Sequence, residues 1–356
     1  MTGRRIGATA AVVAAVALVA LVRADPAAAD PPVPTDYRST VDAIEPPADG
    51  VHAEVVGGDA FLELTVDHPH EVVVTGYQGE PYLRFRPDGT VQRNHRSPAT
   101  YVNDSRDASV QPPASADAEA DPDWETVGDG GVYAWHDHRI HWMGSEPPAG
   151  AEPGEWTRTW TVDIEVDGTP TRINGTLALV EDVNPLPWVA LGLATAAAPA
   201  IAGRRRPLIV ACVAALVAAA LATGVGWAQV ADAPAGSGVS PVVVAVPLAG
   251  LVAAGLGITM GRRMGRRAFA TMTLAASAAV AGWGALRVDV LSKPVLPTVL
   301  DARVDRAGTT VALALAVASA GLVVWGSGLV LGDDHEDEEE TGPAATVAGG
   351  IRRWRR

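Results

Sequence analysis

The chain contains one cysteine, one lysine and three phenylalanines in 356 residues. Its lone Cys212 lies in an apolar run, which excludes an intrachain disulfide and any multi-thiolate metal site, although an oxidising compartment would permit disulfides. Because Lys293 is the sole lysine, arginine carries almost all the positive charge, and it is scarce where acids are dense. From Asp30 to Asp182 there are 29 acids against 9 arginines, a net −20 compared with −14 for the whole chain. So acidic a segment repels phosphate backbones and anionic headgroups, so nucleic acid is excluded as a partner. Also missing are a Gly-x-Ser-x-Gly nucleophile elbow and a phosphate-binding glycine loop, which leaves a membrane-anchored hydrolase without a recognisable nucleophile.

What is present divides the chain in two. Residues 1–29 read as a secretory signal peptide: Arg4 and Arg5 precede an apolar run from Ala8 to Val22, and Ala27-Ala28-Ala29 offers small residues for a cut before Asp30. Residues 30–47, rich in Pro, Asp and Thr, read as an extended lead-in. Residues 48–183 read as an extracytoplasmic β domain. Strands are predicted at 60–66, 70–77, 82–86 and 90–92, with Pro87-Asp88-Gly89 as a turn, and at 156–166 and 171–180 around Asp167-Gly168. Residues 103–123 read as a polar loop. Short alternating strands with turn residues between them predict an all-β, immunoglobulin-like antiparallel sandwich.

After Asn184-Pro185-Leu186-Pro187 the composition turns to Ala, Val, Leu and Gly, and residues 184–332 read as a five-helix transmembrane domain. Spans are predicted at Trp188–Gly203, Leu208–Val230, Val242–Met260, Ala268–Leu286 and Thr310–Leu331. Arg204-Arg205-Arg206 and the Arg262–Arg267 cluster belong inside by the positive-inside rule, so the β domain is outside and the charged tail at 333–356 is cytoplasmic and disordered. The spans contain no ionisable residue at depth, which disfavours a pump or transporter.

The densest chemistry lies in Val132–Gly144, V-Y-A-W-H-D-H-R-I-H-W-M-G. Seven of the eight histidines fall in the outer domain. On a strand, His136 and His138 would share a face, and a bulge or turn would bring His141 or Met143 alongside them. Imidazole suits copper and zinc, and a thioether favours Cu(I), so His136, His138, His141 and Met143 are the candidate metal ligands. The alternative is that the tryptophans are core, Asp137 and Arg139 pair, and the histidines only hydrogen-bond. Gly130 with His136-x-His138 opens like a cupin motif but lacks its glutamate, and the metallo-β-lactamase pattern fails because Ile140 stands where Asp is needed.

Gly79-Glu80-Pro81-Tyr82-Leu83-Arg84, Ser97-Pro98-Ala99-Thr100-Tyr101 and Trp135-His136-Asp137-His138-Arg139-x-His141-Trp142-Met143, together with the spans, resemble a family of uncharacterised actinobacterial multi-pass membrane proteins. The resemblance implies a cell-membrane location and carries over no catalytic residue. Two functions follow as expectations. In the first, the outer domain binds copper or zinc and delivers it to a metal-handling partner. In the second, it is a structural or interaction module of the envelope, with the EPYLR and SPATY segments as the surface met by another envelope protein or a wall polymer.

Overall fold

The computed structural model describes residues 31–234 and 241–327. The segments expected as signal peptide and charged tail lie outside the described residues, as does the end of the fifth predicted span.

Ten antiparallel strands build the β domain. They are β1 (Tyr37–Glu45), β2 (Val51–Val56), β3 (Phe61–Val66), β4 (Val72–Thr75), β5 (Pro81–Phe85), β6 (Val91–Asn94), β7 (Trp124–Gly128), β8 (Val132–Trp135), β9 (Thr157–Val166) and β10 (Thr169–Leu179). Seven form one sheet in the order β1-β10-β9-β4-β5-β6-β7, and β2-β3-β8 form the other. This seven-to-three division is far from the near-even split of an immunoglobulin sandwich. The longest hairpin shows the cause of the fold most plainly. In β9, Trp160, Val162, Ile164 and Val166 are buried while Thr159, Thr161, Asp163 and Glu165 face out, and Asp167 and Gly168 turn the chain with positive φ, as a tight hairpin requires. Opposite Trp160 sits Gly175, where any side chain would collide with the indole. Both sheets feed one core, in which Leu62, Leu64 and Trp135 meet Val72, Leu83, Phe85, Val162 and Ile173, each contributing roughly 1.5–3 kcal/mol on burial.

The lead-in is not extended coil throughout. Tyr37–Glu45 is an edge strand paired along β10, and Tyr37 and Ser39 face the core. Its flanking prolines and outward Arg38, Thr40 and Asp42 hide that role in the sequence.

A helical part follows, with α2 (Leu186–Ala202), α3 (Pro207–Asp232), α4 (Val242–Met264), α5 (Arg266–Ala285) and α6 (Ala302–Ser327); the short α1 (Pro98–Val102) belongs to the β domain. Among the described residues four helices, α3 to α6, are long and apolar enough to cross a membrane, and α2 is a shorter apolar helix of 17 residues. Small residues let the helices approach closely. Ala211, Ala215, Ala218 and Ala222 form a buried stripe on α3, and at Gly226 a side chain would strike the carbonyl of Val243. Ser277 donates to Ser319 (2.8 Å), which in turn donates to the Ala211 carbonyl (2.7 Å), tying three helices together.

Helix α6 begins eight residues before the predicted span, at Ala302 rather than Thr310, and takes in Arg303, Asp305 and Arg306. Asp305 and Arg306 are buried, and Arg287 pairs with Asp305 at 2.9 Å. Charges that read as loop are therefore built into one end of the bundle. At that end the β domain is attached: Thr35 and Val295 exchange backbone hydrogen bonds of 3.0 and 3.1 Å, and Lys293 pairs with Asp36.

Candidate functional site

Strand β8 stops at Trp135, so the His-x-His pair does not lie on a strand. The reason is local. The Trp135 indole donates to Asp137 Oδ2 (2.9 Å), and Arg139 donates to both carboxylate oxygens, through Nε to Oδ1 (2.8 Å) and Nη2 to Oδ2 (2.7 Å), while its own amide reaches Oδ1 (3.0 Å). Bonds of this kind within a few residues draw the backbone out of the ladder into a turn. Asp137 has no exposed surface. Burial alone would raise its pKa, but the Arg139 charge and the hydrogen bonds outweigh that and hold the carboxyl below the usual range. Arg139 also donates to the Thr75 carbonyl (3.1 Å) and lies over the Tyr77 ring.

The turn sends the three histidines to three different acceptors. His136 Nδ1 donates to the Ala60 carbonyl at 2.5 Å, and its ring stacks on Phe61 with centroids 4.2 Å apart in the core. His138 Nε2 donates to the Ser105 carbonyl (3.0 Å), and His141 Nε2 to the next carbonyl, that of Arg106 (3.1 Å). A carbonyl can only accept, so each of these ring nitrogens carries the proton in its bond; in His141 the other nitrogen, Nδ1, is buried without a hydrogen-bond partner. His138 and His141 come together, with ring centroids 5.1 Å apart at 71°. Met143 is 45% exposed. Among the described residues no group of three His, Cys, Asp or Glu side chains is placed to hold a metal ion. The second His-x-His is likewise divided, His68 to the Pro87 carbonyl (2.8 Å) and His70 to Asp167 (2.7 Å).

His141 is buried, and the pKa of its imidazole is pushed down to about 3, first by burial and then by the Arg106 guanidinium and the other two histidines. A pKa below the unfolded value of about 6.5 means that the unfolded chain binds the proton first, so stability is full above pH 6.5 and falls as the pH drops below it. The loss from this one group approaches about 1.4 kcal/mol per pH unit, or about 2 kcal/mol by pH 5. Unfolding by denaturant at pH 7.5 and pH 5 should show it, and His141→Gln should flatten the dependence. An equal slope in that variant would place the effect elsewhere.

The EPYLR and SPATY segments do not form an exposed surface. Glu80, Tyr82, Leu83, Ser97, Ala99 and Thr100 are buried. Ser97 caps α1 and donates to Glu80 Oε1 (2.6 Å), while Asn94 donates to the Pro81 carbonyl (2.7 Å) and accepts from the amides of Arg96 and Asp123. The two motifs lock to each other through polar groups whose partners are distant in sequence.

Residues that carry no motif complete the site. Arg106 pairs with the fully buried Asp59 at 2.8 Å. Burial pushes the Asp59 carboxyl up, with Asp36 adding to it and Arg106 opposing. Arg158 donates to the carbonyls of Arg139 (3.2 Å) and His141 (2.8 Å) and faces Trp142, which meets Trp156 edge to face. For Asp59 the neighbouring Gly57-Gly58 is a signal of a tight turn; for Arg106 and Arg158 the sequence offers none. No family model, curated protein or solved structure matches this chain.

Proposed function

We propose that the protein is a multi-pass cell-membrane protein with five spans, its β domain outside and its tail inside, and that the outer domain is a non-catalytic interaction module of the envelope. Support for five spans comes from α2. Its Gly192 abuts Thr310 and its Gly203 abuts Leu322, so it runs beside α6 over the same depth, and 17 residues reach about 26 Å against a hydrocarbon core of about 30 Å. Support for the orientation comes from the ends. Arg204-Arg205-Arg206 and Arg263, Arg266 and Arg267 gather at the end away from the β domain, where Arg266 donates to the Gly326 carbonyl (2.5 Å). Trp227 and Trp325, near opposite ends of the bundle and both more than half exposed, suit the two membrane interfaces.

The observation that carries the module reading is the division of the motif histidines among the Ala60, Ser105 and Arg106 carbonyls around a buried Asp137. The motif's polar groups fasten a loop. A partner is then met by the side chains outside this lock, and another envelope protein or a wall polymer fits an acidic, arginine-poor surface better than any phosphate-bearing ligand.

One arrangement favours a second reading, binding of copper or zinc. His138 and His141 both donate Nε2–H to backbone carbonyls, the usual outer support of a metal-bound imidazole, and the Nδ1 of His141 is buried with no hydrogen-bond partner. With Met143 these would be the ligands. Titration of the purified full-length chain with Cu(I), Cu(II) and Zn(II) in competition with chelators decides between the two. The module reading expects no site tighter than about 10 μM and no difference in a His138→Ala/His141→Ala double variant. Stoichiometric tight binding that this variant abolishes would overturn it and establish the metal reading.

A further inference from the structure

The turn between β2 and β3, residues 57–60, touches the motif loop on one side and the membrane bundle's outer loop on the other. On the motif side, the Asp59 carboxylate holds Arg106 (2.8 Å) and the Ala60 carbonyl holds His136 (2.5 Å). On the bundle side, the Gly58 carbonyl accepts from Ser39 (2.9 Å), and the Gly58 backbone lies so close to the loop that a Cβ there would be 2.6 Å from Val295 Cγ1. Gly57 and Gly58 both have positive φ, so the turn has a conformation that few other residues can adopt.

The contacts continue beyond the turn. Val295 exchanges its two backbone hydrogen bonds with Thr35, and Lys293 pairs with Asp36 at 2.5 Å. Arg306, buried near the start of α6, donates to the carbonyls of Val290 (2.9 Å), Lys293 (2.6 Å) and Pro294 (3.1 Å). Its neighbour Asp305 takes Arg287 from the end of α5. Each step is a hydrogen bond, an ion pair or a close backbone contact between buried or half-buried groups. A packed interior transmits displacement rather than absorbing it.

We propose that the 57–60 turn couples the motif loop to the outer loop 287–301 and, through Arg306, to α6, so that a change of conformation in one is felt in the other. The coupling is a property of the protein whichever class of ligand the motif loop meets. A ligand that orders or displaces His136 to His141 would thereby act on the bundle, with no need for an ionisable residue deep in a span.

The physical warrant for such a claim is a measured linkage, since adjacency alone is an association. Full-length protein in lipid nanodiscs is compared by hydrogen exchange and mass spectrometry with Val295→Ala and Asp59→Asn. Val295→Ala, a small truncation at the bundle side, should speed exchange about tenfold within 287–297 and at least about threefold in 134–141 on the far side of the turn. Asp59→Asn should speed exchange in 287–297 by at least about threefold. Thr161→Ala, on the outward face of the large sheet, should change neither segment. If Val295→Ala leaves 134–141 within about twofold of the wild type while 287–297 responds, the turn is packing only and the coupling is refuted. Because Val295→Ala removes only part of one side chain, that outcome does not depend on the Asp59 variant folding.

Discussion

Asp137→Ala lowers the stability of the β domain by about 3–5 kcal/mol, the range for removing one partner of a buried ion pair. The carboxylate has no exposed surface and accepts from Trp135 and from Arg139. Its loss leaves a largely buried guanidinium without a counter-charge and an indole N–H without an acceptor, in the turn that places all three motif histidines. A fall in the unfolding midpoint on the order of 10 °C should follow, read by tryptophan fluorescence or calorimetry on the full-length chain. Asp137→Asn retains an acceptor for the indole and should lose less. The wild-type carboxyl is held below its usual pKa, so its contribution is complete above about pH 4 and disappears as acid carries the protein through the lower folded-state value. A loss under about 1 kcal/mol in the alanine variant would show that the turn holds without its carboxylate.

The second large effect is all-or-none. A reporter active only in the cytoplasm should work when fused after Arg206 or Arg267 and be silent after Val180, Ala231 or Arg303. That pattern follows from the proposed orientation, which rests on the arginine clusters at one end of the bundle and the β domain at the other. An active Val180 fusion would reverse the orientation. Activity after Ala231 with silence after Arg206 would show that α2 does not span, since removing one crossing inverts every later segment.

The legible parts of the sequence were those governed by a single period. In β9 and β10 the alternation of apolar and polar residues around Asp167-Gly168 placed the hairpin to within a residue or two, and uniform apolar runs placed α3, α5 and the start of α4 equally well, while α4 runs four residues further, to Met264. What remained hidden depends on partners distant in the chain. Glu80 and Ser97 look like exposed polar residues until each is seen to satisfy the other. Tyr37–Glu45 looks like a linker until β10 lies beside it. Arg303, Asp305 and Arg306 look like loop because a lone charge is costly in a span, yet Arg287 and three carbonyls of the 287–301 loop receive the two buried ones. The geometry of the candidate site departs from the sequence reading at one identifiable step. Strand periodicity would have paired His136 with His138, but Asp137, drawn to Trp135 and Arg139, ends the strand first, so that the pair brought together is His138 with His141.

The only lysine in the sequence, Lys293, is also the residue that ties the 287–301 loop to Asp36. For amine chemistry the chain therefore offers a single side-chain handle, and it sits at the joint between the two halves of the molecule. Reductive methylation with a carbon-13 label would give one lysine signal. Its chemical shift and its reactivity toward the reagent would report whether the joint is closed, without any engineered cysteine or fused fluorophore.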